Sequence, residues 1–218
     1  MSKNPSKEQA LKNATLLSAY LLIFWGFYRL IFKLPEEIEE VIIKPIVWLV
    51  PIFFLLGKER LGVGSIGITL KNLFPSVYFA LGLGAIFVME ALVLNYLKYG
   101  GLNFAANVGD RVLLAALGIS FATAVSEEIA FRGYIFSRVW SSTGNEWLAN
   151  LSTNAVWVLI HIPWLLFVQR LTPGPLLVNL LVTGAFGVGS AFVFARTRNI
   201  FSSIFLHVLW AWPIILFR

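Results

Sequence analysis

The chain has 218 residues, 58% of them hydrophobic and 13% charged, with a mean hydropathy of +0.80. That apolar content exceeds what one soluble core buries and excludes an ordinary soluble domain, and zero cysteines exclude disulfides, thiolate metal sites and a cysteine nucleophile. The net charge of +6 does not mark a nucleic-acid binder, because the 17 Lys and Arg are scattered through short connections rather than gathered on one face.

A span of the hydrocarbon core takes about 20 apolar residues. Windows of that kind fall near 14–32, 41–57, 73–97, 111–131, 148–168, 175–195 and 199–217. The fold class expected is therefore all-α, a polytopic membrane bundle of about seven transmembrane helices. Residues 1–13 form a short N-terminal segment with Lys3, Lys7 and Lys12 ahead of the first span. That first span is too long for a signal peptide and lacks a small-residue cleavage site, so it stays as a helix. The second window carries Lys44, Pro45 and Pro51, which predicts a kinked or tilted segment.

With the N-terminus in the cytosol, the cytosolic connections hold Lys58, Arg60 and Lys71, then Arg132 and Arg138, then Arg196 and Arg198. The acidic run Glu36, Glu37, Glu39 and Glu40 falls on the opposite side, in keeping with the positive-inside rule. The small residues between Leu180 and Ala195 predict close helix packing, with a substrate groove as the functional alternative.

Ionisable side chains inside membrane spans are costly and point to function by default. Here they are Glu90, the adjacent Glu127 and Glu128, and the chain's two histidines, His161 and His207. Glu128 and Arg132 stand i,i+4 with the acid first, the favourable order for a helical ion pair. Glu127 points about 100° away on the same helix, free for a water or a substrate. The purely structural alternative is a packing network at the helix end.

Depth brings the groups together at about 1.5 Å per residue: Glu127 roughly 7–8 Å from a helix end at Arg132, His207 roughly 12 Å in from Asn199, and His161 roughly 20 Å in from Trp147. A proton acceptor and two imidazoles around a buried water suit amide hydrolysis. Taken singly, each histidine reads equally well as a hydrogen-bonded packing residue, with Trp157 one turn before His161 and Ser203 one turn before His207. Glu90 is read as a structural acid.

The run Ser126-Glu127-Glu128-Ile129-Ala130-Phe131-Arg132-Gly133-Tyr134 resembles the first motif, E-E-x-x-x-R, of the type 2 CAAX prenyl protease and bacteriocin-processing family of intramembrane endopeptidases. Trp157 to His161 is similar to its second motif, F-x-x-x-H, with Trp in place of Phe, and His207 falls where its third, H-x-x-x-N, begins. The likeness covers roughly residues 110–212, and divides the chain into residues 1–13, N-terminal helices over 14–109, and family-like helices over 110–218. It implies catalysis by Glu127, His161 and His207, with Glu128, Arg132 and Trp157 in support. The expected substrate is a peptide or protein tail, prenylated in some members, reached within membrane lipids of a prokaryotic cell. No cofactor is implied by the preferred glutamate mechanism, whereas zinc on Glu127, His161 and His207 is the alternative.

Ala211 departs from the pattern, standing where the family has an asparagine that helps hold the oxyanion. Loss of one such donor typically costs about 10²–10³ in rate, so Trp210, Trp212 or Asn154 is needed as a substitute. Two further readings compete: an impaired relative acting as a membrane scaffold or bacteriocin self-immunity protein, and a proton-coupled transporter, for which no inverted repeat is seen.

Overall fold

The computed structural model describes residues 5–32, 34–105 and 111–217. Seven helical segments run through them: α1 Lys7–Ile31, α2 Glu36–Glu59, α3 Leu73–Tyr99, α4 Leu113–Thr143, α5 Glu146–Val168, α6 Pro173–Thr197 and α7 Ile200–Phe217. The first six are long and apolar enough to cross a membrane, and no strand occurs among the described residues. The chain is an integral membrane protein. The expected boundary at residues 109 and 110 lies outside the described residues.

α4 is the central helix and packs against α1, α2, α5, α6 and α7. Its core-facing stretch Ile129–Phe136 is wound as a π-helix, and all eight of those residues are buried. Such insertions are rare and concentrate at functional sites; here one begins directly after Glu128. The outer surface keeps Phe54, Tyr78, Leu97 and Leu114 exposed, as a lipid-facing bundle requires. Where α3 crosses α7, Gly84 leaves the space filled by Leu209, the close approach that small residues permit in membranes.

Two expectations are corrected. Arg132 and Arg138 do not lie in a cytosolic connection, because α4 continues to Thr143 and both guanidinium groups are buried within the bundle. Arg132 is paired with Glu128 and Arg138 with Glu59. Charges end a span only when no internal counter-ion is available, and each has one. The second correction is depth: with α4 ending at Thr143, Glu127 lies about 24 Å from that end rather than 7–8 Å, close to the depth of His161.

α7 is short because it begins inside the protein. Asn199 and Ile200 are buried beneath the connection between α2 and α3. The Asn199 side-chain amide donates to the carbonyls of Thr69 (2.9 Å) and Lys71 (2.6 Å), and the Ile200 N–H donates to that of Gly67 (2.9 Å). Gly67 has φ +80° and lies against Phe194, a position that a side chain would strain.

Candidate active site

Adjacent residues on a helix diverge by about 100°, and Glu127 and Glu128 consequently meet different surroundings. The Glu128 carboxylate is fully enclosed. Its Oε1 accepts from Arg132 Nη1 (3.0 Å) and from His207 Nδ1 (2.8 Å), and its Oε2 accepts from Ser190 Oγ (2.7 Å). Arg132 also donates to the Gly187 carbonyl (3.2 Å), which the small residues of α6 bring within reach.

Glu127 belongs to a second network, formed with α1 and α2. The ammonium of Lys44 pairs with its Oε1 and with Glu40 Oε2 (2.7 Å), while Glu40 also accepts from Thr123 Oγ1 (2.8 Å). Arg29 closes the series on Glu39 (2.5 Å) and Glu40 (3.4 Å). One of the two carboxylate oxygens of Glu127 is thus held. Its other oxygen accepts no hydrogen bond among the described residues. Glu127 lines a cavity of about 340 Å³ together with Lys44, Thr123 and Ser120. That cavity reaches the surface beside Arg111 and Glu36, where the two form an exposed ion pair (2.5 Å).

His161 comes from α5. Its Nδ1 lies 2.7 Å from the Trp157 carbonyl, which can only accept, so Nδ1 carries the proton and Nε2 keeps its lone pair. The ring lines a second cavity, about 550 Å³, with Trp164, Thr183 and Trp210. Arg29 borders both cavities. Both lie toward the end of the bundle where α1 finishes and α2 begins.

Trp157 is the packing hub between the two histidines, with ring centroids 4.7 Å from His161 and 5.8 Å from His207. The Arg132 guanidinium sits 4.7 Å from its centroid, a cation–π contact. Glu127, Glu128, Arg132, Trp157, His161 and His207 are thereby gathered in one region. Glu90 lines neither cavity.

Among the proposed substitutes for the missing asparagine, Asn154 has already committed its amide to the Gly184 carbonyl (3.1 Å). The indole N–H groups of Trp210 and Trp212 are buried and have no acceptor among the described residues. Trp210 stacks on Phe186 at 4.4 Å and stands 5.7 Å from the His207 ring, at the edge of the His161 cavity.

Lys44, Glu40, Arg29 and Ser190 were missed as site residues. Lys44 was noted only for a kink, although the rule that singles out buried ionisable groups applies to it equally. Glu40 four residues before it was the available signal, in the favourable order for a helical pair. Among the described residues no three His, Asp or Glu side chains are grouped as a metal site needs.

Residues 109–213 match the family model described as type II CAAX prenyl endopeptidase Rce1-like. No curated protein and no solved structure matches the chain. The matched residues include Glu127, Glu128, Arg132, Trp157, His161 and His207, and the segment that carries this site is similar to the Rce1-like type II CAAX prenyl endopeptidases.

Proposed function

We propose that the chain hydrolyses a peptide bond of a membrane-associated peptide or protein tail, using water activated by Glu127 with His161. The observation that carries this reading is the division of labour between neighbouring carboxylates. Glu128 is saturated by three donors, whereas Glu127 keeps one oxygen toward a cavity.

A water between that oxygen and His161 Nε2 gives up a proton as its oxygen attacks the scissile carbonyl carbon. The tetrahedral oxyanion is met by the Trp210 indole N–H and by the imidazole of His207, which Glu128 holds through Nδ1. Collapse breaks the C–N bond, and the proton taken from water passes to the leaving amine. Arg132 balances the charge of Glu128. The mechanism is metal-free: the Lys44 ammonium on Glu127 is the wrong neighbour for a dication, so the zinc alternative does not fit this arrangement. CAAX-type tails and leader peptides are the substrate classes, and the N-terminus is cytosolic.

The test is purified protein in detergent, with and without a strong chelator, against a panel of membrane-anchored peptides, alongside Glu127→Ala. Cleavage by wild type that survives the chelator and disappears in Glu127→Ala is expected. Cleavage retained by Glu127→Ala sinks the role of Glu127, and loss with chelator sinks the metal-free mechanism. Ala211, with no side-chain donor, favours a second reading, an impaired relative acting as scaffold or self-immunity protein. Its cellular phenotype would persist in Glu127→Ala.

A further inference from the structure

We propose that Lys44 is a positioning residue for Glu127, an inference that rests on the peptidase reading above. Lys44 lies on α2, outside the family-matched segment, and only 2% of its surface is exposed. A buried ammonium is tolerated only when its charge is compensated, and here two carboxylates compensate it. Glu40 and Glu127 take two of its three protons. The rings of Trp48 and Trp25 lie 5.1 and 5.6 Å away, and the remaining side borders the cavity that Glu127 also lines.

Its position is fixed relative to the helix that carries the base. Glu40 is anchored by the hydroxyl of Thr123 (2.8 Å), one turn before Glu127 on α4, so the ammonium is referenced to α4 itself. The ammonium binds Oε1 of Glu127. That contact fixes the carboxylate plane and leaves Oε2 as the atom presented to water. Without Lys44 the carboxylate would turn freely between the cavity and the α2 interface, and a displacement of about 1 Å at a reacting group can cost 10²-fold in rate. A merely structural ion pair would affect folding and leave turnover of the folded enzyme intact.

The test combines Lys44→Met, Lys44→Arg and Glu127→Gln, singly and as the Lys44→Met/Glu127→Gln double variant, in detergent. Lys44→Met is expected to lower kcat about 10²-fold with KM within about threefold of wild type, and Lys44→Arg to recover part of the loss. Folded Lys44→Met that turns over at the wild-type rate overturns the proposal. Melting temperatures supply a readout independent of cleavage: the double variant should be shifted less than the sum of the singles, since contacting groups are non-additive. Additive shifts overturn the placement of Lys44 even in an active peptidase. A wild type that cleaves no peptide overturns the parent reading, and the catalytic role of Lys44 with it, whether or not the melting shifts are coupled.

Discussion

His207 Nδ1 and Glu128 Oε1 stand 2.8 Å apart, linking α7 to the residue of α4 directly before its π-helical stretch. The same oxygen accepts from Arg132, so one atom orients an imidazole and neutralises a guanidinium.

Replacing Glu128 should therefore damage both stability and turnover. Glu128→Gln leaves the buried Arg132 without a counter-charge, and breaking a buried pair on one side typically costs about 3–5 kcal/mol. The expected result is a lower melting temperature together with a fall in kcat, because the His207 ring loses its charged acceptor. Thermal unfolding in detergent and single-turnover cleavage measure the two effects. Wild-type values of both would show that the contact is idle.

Trp210→Phe separates packing from hydrogen bonding. The ring remains to stack on Phe186, but the indole N–H is lost. Turnover should fall about 10²–10³-fold, the usual cost of one oxyanion donor, with KM little changed. Adding Ala211→Asn to that variant should restore activity, and a Trp210→Phe enzyme with normal kcat removes Trp210 from the mechanism. Asn154→Ala should act through stability instead, because its amide already serves Gly184.

Accessibility can be read without background, since the chain has no cysteine. Single cysteines at Arg111 or Glu36 mark the cavity mouth, and one at Lys71 marks the other end of the bundle. With the N-terminus cytosolic, a membrane-impermeant maleimide on intact cells should label the first two and spare the third. The reverse pattern would invert the topology and place the mouth in the cytosol.

The seven helices were legible because apolar runs interrupted by short polar connections leave little choice of boundary. The end of α4 was not. Arg132 and Arg138 read as membrane-exit charges, and only the folded bundle shows Glu128 and Glu59 waiting for them. Glu127, Glu128, His161 and His207 were visible as polar residues inside apolar spans. The pairing of Glu127 with Lys44 was not, because it joins residues 83 positions apart, and nothing in local spacing reports which face of α2 meets α4. Ser190 was hidden for a similar reason: in a run of small residues its hydroxyl looked like packing until it donated to Glu128.

The root of α7 carries an implication for how this protein can be taken apart. Because Asn199 and Ile200 hang from three carbonyls of the connection between α2 and α3, the helix bearing His207 is hung on a bracket supplied by the other half of the chain. Residues 109–213 are thus not a cassette that could be moved into another scaffold unaided. A chimera with a relative's N-terminal half would have to carry across a loop that offers those same three acceptors in register, or the imidazole would arrive at the wrong height.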